Sequence, residues 1–422
     1  MKNEFLNKVF RGDKGIWMIF MFLCMISIVE VFSATSQLAY QTGRFWSPIS
    51  SHSIHLIMGF GIVLAVQFIP HKWWKVFCFP MLILSAFLLV YVMVAGQKIN
   101  GASRWLNIGG FAFQPSEVAK LAVIMTISLL LSRMQDVERD GKRITLWIAG
   151  IAVAICGLIA LDNLSTAGLL AIVSISMMII GGTPKKYLAP VLGGGALVAI
   201  IVLAFFVLTP SKTMAKIGET THVTRLYTWQ RRIKEFIVVL PDEPKEYVIA
   251  DNNRQISHAL IAVSSSGIIG CGPGNSIQRD FLAQAYSDFI YAIIIEELGL
   301  VGGILVLLLY IALLMRAGRI ARKCNSRFSA LLVMGCALML VTQAMINMLI
   351  SVNLFPVTGQ PLPIISRGGT SILISCVYIG IILNISRSVE PTIILSSEQP
   401  AEADEVPALN ITDYERDEAE LI

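Results

Sequence analysis

The chain has 422 residues, 55% of them apolar and only 14% charged, with a mean hydropathy of +0.71. A soluble domain carries about 25% charged residues, so a single water-facing globule is excluded, and so is a disordered chain. The net charge of +5 hides an asymmetry: residues 397–422 hold nine acids against one base, which leaves +13 for the rest.

A helix crossing the hydrocarbon core needs about 20 apolar residues. In chain order, ten segments qualify as predicted spans: 15–35, 52–70, 76–96, 116–132, 144–161, 165–182, 187–209, 288–315, 328–350 and 368–386. Backbone groups in lipid must bond internally, and the runs are too long for barrel strands, so they read as helices. The expected fold is an all-α polytopic membrane protein with ten transmembrane helices. It divides into an N-terminal segment (1–14), helices 1–7 (15–209), a large loop (210–287), helices 8–10 (288–389) and an acidic tail (390–422) expected to be disordered.

Orientation follows from basic residues in short loops. One set of loops holds 18, including Arg11, Lys72, Arg143, Lys185, Arg319 and Arg387; the alternate set holds Arg44, Lys98, Arg104 and Arg367. Both termini are therefore expected in the cytoplasm and the large loop outside. The bases lie between apolar runs rather than on one face, so topology explains them and nucleic acid is not an expected partner. The seven cysteines are scattered, lack CxxC spacing and mostly sit in apolar runs, which points to neither a disulfide framework nor a zinc site.

The 78-residue loop is too long for a plain connection. Within it, 224–239 mixes Leu226, Trp229, Ile233, Phe236 and Ile237 with Arg225, Arg231, Arg232 and Lys234, the pattern of an interfacial amphipathic helix. Such a helix either caps the bundle or touches substrate.

Charges within spans are expensive and need partners. Glu30, Glu296 and Glu297 read first as compensated ions tying helices together. Lys120 and Asp288 both fall at outer helix ends, where a carboxylate beside a lysine stays ionised and can act as a base; a plain salt bridge is the competing reading. Glu117 lies three residues from Lys120, on the same helical face. Three outer segments, 98–116, 264–279 and 353–370, are rich in Gly, Pro and polar residues. Singly they read as tight turns, and the middle one lacks the Gly-Lys-Ser/Thr ending of a phosphate cradle. Together they place Arg104, Trp105, Gln114, Asn275, Gln278 and Arg367 on one side with Lys120 and Asp288. An outward-facing polar cavity among helix ends suits a ligand with a lipid tail and an anionic, hydroxyl-rich head.

The run Pro356-Val-Thr-Gly-Gln-Pro-Leu-Pro-Ile-Ile-Ser-Arg-Gly-Gly369 resembles the signature of the SEDS family (shape, elongation, division and sporulation). Arg104-Trp105-Leu106 with Gln114-Pro-Ser-Glu-Val-Ala-Lys120, and Gly272-Pro-Gly-Asn275-Ser276 leading to Ser287-Asp288 and Glu296-Glu297, resemble two further family segments in the same order. The likeness covers about residues 15–390. It implies a peptidoglycan glycosyltransferase of the cytoplasmic membrane that polymerises lipid II beside a class B penicillin-binding protein transpeptidase. The division-type branch, with a septal location and further division proteins as partners, is the nearer one. By motif position Asp288 is the essential acid and Lys120 its partner. The substrate-binding candidates are Arg104, Trp105, Gln114, Ser116, Glu117, Asn275, Ser276, Gln278, Ser366 and Arg367. The chain departs from the family at Tyr286-Ser287 (usually His-Thr), at Arg367 (usually Tyr) and at Leu161-Asp-Asn163-Leu-Ser-Thr-Ala167 (usually Gln-Pro-Asp-Leu-Gly-Thr-Ala).

The chemistry this implies is one inverting displacement. Asp288 takes a proton from the acceptor's 4-hydroxyl, while Lys120, Arg104 or Arg367 stabilises the leaving pyrophosphate, with a divalent cation (Mg2+ or Mn2+) as the one added cofactor; no residues are assigned to a metal. Lys120 could instead orient Asp288. A lipid II flippase and a non-catalytic scaffold for the transpeptidase are the competing functions.

Overall fold

The computed structural model describes residues 10–36, 47–99, 102–108, 111–134, 137–211, 213–214, 226–238, 249, 253–282 and 284–389. The acidic tail and residues 1–9 of the N-terminal segment fall outside them. Among the described residues, nine helices are long and apolar enough to cross a membrane. They are α1 (Lys14–Ala34), α2 (Ser47–Val66), α3 (His71–Ala95), α4 (Pro115–Ser132), α5 (Val137–Asp162), α7 (Lys185–Leu208), α10 (Ile290–Lys323), α11 (Arg327–Ser351) and α12 (Gly369–Val389). Between α5 and α7 lies a further apolar helix of 17 residues, α6 (Leu164–Ile180). The extramembrane stretch before α10 contains α8 (Leu226–Val238) and α9 (Arg254–Ser265).

Helices α4, α11 and α12 are the most enclosed and pack on α3, α10 and α2, whereas α7 is almost wholly exposed along its length. Polar contacts fix how the helix ends group. Asp13 caps α1 by accepting from the Ile16 amide at 3.0 Å and lies 3.2 Å from the Arg316 guanidinium of α10. Near the other end of α1, Ser33 donates to Glu297 of α10, so α1 and α10 run antiparallel.

Residues 97–113 depart from the all-helical expectation. They form a small antiparallel meander, β1 (Gln97–Ile99), β2 (Ala102–Ile108) and β3 (Phe111–Phe113), with Gln97 opposite Trp105 and Leu106 opposite Phe113. The signal is in the sequence: Asn-Gly at 100–101 and Gly-Gly at 109–110 are dipeptides that favour hairpin turns, separated by a strand-length run.

The segment 264–279 is more than a surface turn. Helix α10 is broken at Gly299, whose φ of 71° is open to glycine. At that break the amides of Cys271 and Gly272 donate to the carbonyls of Glu296 and Glu297 at 3.0 and 2.9 Å. Those of Leu300 and Val301 donate back to Gly267 and Ile268 at 3.2 and 3.3 Å. Non-helical backbone at membrane depth is tolerable only when its polar groups are satisfied by protein. The two carboxylates complete that satisfaction. Glu296 accepts from the amides of Ile277 and Gln278 (3.0 and 3.2 Å), and Glu297 from those of Gly274 and Ser276 (2.9 and 3.3 Å). The Arg279 guanidinium lies 3.9 Å from Glu297. Glu30 is fully buried one helical turn from Ser33, and neither of its carboxylate oxygens has a hydrogen-bond partner.

Candidate functional site

Asp288 sits two residues before α10, at the end of the extramembrane stretch, and is half-buried. Its backbone carbonyl accepts from the Asn347 side-chain amide at 2.8 Å, and the same amide nitrogen donates to the Gln360 carbonyl at 2.8 Å. Its carboxylate accepts from the Ser287 hydroxyl at 3.0 Å. Burial raises the Asp288 pKa, and the Ser287 hydrogen bond and the positive charge of Arg232 on α8 oppose that rise. A carboxylate moved toward neutrality is a stronger base.

The 356–369 run closes over this residue. Ser366 donates to the Ser287 carbonyl at 2.6 Å and accepts from the Leu362 amide at 2.7 Å. The Arg367 amide donates to the Tyr286 carbonyl at 2.9 Å, and its guanidinium stacks 5.3 Å above the Tyr286 ring. Two of the family departures, Tyr286 and Arg367, are thus in contact with each other. Gly359 has a φ of 71° and lies so close that a Cβ there would stand 3.3 Å from the Asp288 carboxylate. Ile364, a β-branched residue with a φ of 69°, is held in that strained region by complete enclosure.

Lys120 occupies a different position from the one its spacing suggests. It is fully buried, forms a 2.8 Å ion pair with Glu117 and donates to the Gln343 side chain at 3.0 Å. No ion pair joins it to Asp288, although both residues are described. The link runs through α11, where Gln343 holds Lys120 and Asn347, one turn on, holds Asp288. The positive charge acting on Asp288 comes from Arg232 instead.

The other sequence candidates divide into two groups. Gln114 donates to the Ser116 hydroxyl at 3.0 Å, and both line a water-sized cavity with Asp162 and Asn163. Asn163 caps α6, and the neighbouring Thr166 hydroxyl accepts from Gln360 at 2.8 Å, which ties this group to the 356–369 run. Asn275, Ser276 and Gln278 form the second group. Ser276 donates to Glu296, Asn275 to the Cys271 carbonyl at 3.0 Å, and Gln278 pairs with His258 at 2.8 Å. Their hydrogen bonds thus run to the α10 break and to α9 rather than to Asp288. Trp105 is half-buried on β2; Arg104 lies on the same strand, with its side chain outside the described residues.

Gln343, Asn347 and Gln360 are the residues that sequence reasoning missed. The first two had a visible signal, amides four residues apart inside an apolar span, where polar side chains form interhelical bonds. Among the described residues no three His, Cys, Asp or Glu side chains converge to hold a metal ion. The described donors therefore form no protein metal cage at this site.

Residues 13–390 match the family described as cell cycle protein, FtsW/RodA/SpoVE. The chain is 31% identical over 399 residues to a protein of Trichlorobacter lovleyi named "Probable peptidoglycan glycosyltransferase FtsW", with 91% of this chain and 96% of that one covered. Two solved structures share the fold. One is described as "Structural coordination of polymerization and crosslinking by a peptidoglycan synthase complex" (TM-score 0.67, 22% identity, 90% of this chain and 99% of that one). The other is the rod shape determining protein RodA of Thermus thermophilus (TM-score 0.62, 21% identity, 91% and 99%). With the 356–369 run packed around Asp288, its membrane helices in the same fold and the family match over residues 13–390, the chain belongs to the FtsW/RodA/SpoVE family of cell cycle proteins.

Proposed function

We propose that the chain is a peptidoglycan glycosyltransferase that polymerises lipid II into β-1,4-linked strands at the outer face of the cytoplasmic membrane, in septal wall synthesis. The observation that carries this reading is the enclosure of Asp288 by the 356–369 run at one end of the bundle, where it stays half-buried. The relatives named FtsW support the activity and the division role.

In this proposal the α6 helix is a tenth span, both termini are cytoplasmic, and Asp288 removes the proton from the acceptor hydroxyl. Lys120 orients rather than contacts substrate, a role supported by its full burial between Glu117 and Gln343. Trp105, Gln114, Ser116, Arg367 and the strand carrying Arg104 line the approach, while Asn275, Ser276 and Gln278 hold the neighbouring loop in shape. Mg2+ binds through one or two carboxylates and substrate phosphates, so a divalent cation enters this proposal only with the substrate. A class B transpeptidase is the proposed partner, in line with the synthase complex that shares the fold, and other division proteins join it.

Purified full-length protein, with its transpeptidase and lipid II, should yield a ladder of glycan chains on a gel. Lipid movement across vesicles without new glycosidic bonds would favour a flippase. A requirement for the protein in cross-linking alone would favour a scaffold.

A further inference from the structure

The turn at residues 362–367 is held by two sets of hydrogen bonds. One set reaches the Asp288 segment, where Ser366 donates to the Ser287 carbonyl and the Arg367 amide to the Tyr286 carbonyl. The other set comes from α1 and α2. The Ser27 hydroxyl of α1 donates to the Ile365 carbonyl at 2.8 Å, and Nε2 of His52 on α2 lies 2.8 Å from the same hydroxyl oxygen. A serine hydroxyl has one proton to give. Ser27 gives it to Ile365, so the other bond is donated by His52, which puts a proton on Nε2.

Two features make this relay more than packing. His52 is 1% exposed, yet among the described residues its Nδ1 has no hydrogen-bond partner. An apolar side chain would fill the space without stranding a ring nitrogen, so the Nε2–H bond is the part of the histidine that the site uses. The relay also ends on the residue that follows Ile364, the β-branched residue at a φ of 69°. Such a conformation persists only where its surroundings hold it from several directions. Ser27 grips the backbone just after the strained residue, and Ser366, the next residue along, grips the peptide that leads into Asp288.

Helix α2 is a firm anchor for the relay. It is seated on α12, which follows directly on the 356–369 run. A Cβ at Gly59 would stand 2.6 Å from the Cys376 sulfur, at Gly380 2.8 Å from Val66, and at Gly369 3.0 Å from the His55 ring.

We propose that Ser27 and His52 are positioning residues for Asp288: the His52–Ser27–Ile365 relay locks the strained turn, and the locked turn sets the Ser287 carbonyl and the direction of the carboxylate beside it. The proposal rests on the glycosyltransferase reading. Neither residue touches the reacting atoms. Without the relay the carboxylate drifts from the acceptor hydroxyl while substrate contacts stay as they are, and a misplacement of about 1 Å costs about a hundredfold in rate. The charged and titratable groups acting on His52 are Arg367 and His55, and the one acting on Asp288 is Arg232.

The test is steady-state glycan synthesis by full-length protein with its transpeptidase and lipid II, beside hydrogen exchange of the same protein in nanodiscs. Ser27→Ala deletes both links and His52→Leu deletes one. Each should lower kcat at least about tenfold, the scale of one hydrogen bond, with KM within about twofold of the parent. His52→Gln, whose amide reaches the Nε2 position, should recover most of the rate, whereas His52→Asn, whose amide lies nearer Nδ1, should not. The double variant should lose no more than the worse single one, because one relay carries both effects. The alkaline-rising limb of the rate should move to lower pH, since a carboxylate released into water loses part of the burial that raises its pKa. Peptides covering 360–370 and 284–290 should exchange about tenfold faster in Ser27→Ala, with the rest of α10 and α12 unchanged. Parental kcat and exchange in Ser27→Ala and His52→Leu overturn the proposal, and so does equal recovery by the Gln and Asn variants. A loss explained by a smaller folded fraction, with the pH limb unmoved, makes the pair purely structural and overturns it as well. A parent that makes no glycan defeats the glycosyltransferase reading, and the exchange of 360–370 in Ser27→Ala then decides by itself whether the relay locks the turn.

Discussion

Replacing Glu117 by Gln removes one charge from a buried pair and leaves the shape nearly intact. The Lys120 ammonium and the Glu117 carboxylate are 2.8 Å apart, with side chains 0% and 6% exposed. At an effective dielectric constant of about 20, two unit charges at that distance attract by about 6 kcal/mol. The Gln343 side chain still accepts from Lys120 at 3.0 Å, so part of the loss is compensated. A buried pair broken from one side typically costs about 3–5 kcal/mol, because the remaining charge is stranded. Unfolding of the full-length protein in mixed micelles, followed by circular dichroism, should show Glu117→Gln destabilised by that amount. The double variant Glu117→Gln/Lys120→Met should recover more than half of it, since neither charge is then stranded. A single variant within about 1 kcal/mol of the parent, where other buried pairs lose several, would refute the inference that this pair is structurally isolated from water.

Asn347→Leu strips the donor from the carbonyls of Asp288 and Gln360; we expect a loss of about 1–3 kcal/mol and a rate of glycan synthesis reduced at least tenfold, measured on protein that elutes as a single species. Because burial raises the Asp288 pKa and the base must be ionised, the rate should rise with pH through that raised value. Ser287→Ala, which deletes a hydrogen bond to the carboxylate, should move the limb to higher pH. The sign for stability is opposite. A raised carboxyl pKa means the folded state holds the proton more tightly, a contribution present below the unfolded pKa and lost as pH climbs through the folded one. Gly299→Ala would force a side chain onto the Ile268 carbonyl at a φ of 71°; it should cost more than about 2 kcal/mol, visible as a lowered unfolding midpoint.

Much of the fold was legible because lipid imposes simple rules. Apolar length alone anticipates the nine membrane-length helices among the described residues, with the 17-residue α6 falling short of that length, and helical spacing places Glu117 beside Lys120. The motif order likewise anticipates that the 356–369 run and Asp288 belong to one site. What spacing could not reveal was which charge faces which across helices. Lys120 and Asp288 lie at helix ends 168 residues apart in sequence, and only packing shows that Gln343 and Asn347 on α11 stand between them. Arg232 was visible only as one base on an amphipathic face. Its relation to Asp288 depends on how α8 docks, through Gln230 donating to the carbonyls of Phe206 and Thr209 at 2.9 and 2.6 Å. The break in α10 had a local signal, Glu-Glu-Leu-Gly at 296–299, but its partner segment 267–272 is remote in the chain.

Whether Asp288 is the base of a glycosyl transfer is tested most directly by glycan chain synthesis from lipid II by purified Asp288→Asn protein. The substitution keeps the shape and the backbone bond to Asn347 but removes the ability to accept a proton. We expect a folded, membrane-inserted protein whose synthesis falls by at least about a hundredfold, the lower bound for losing general base catalysis. Full-rate polymerisation by that variant would contradict this role.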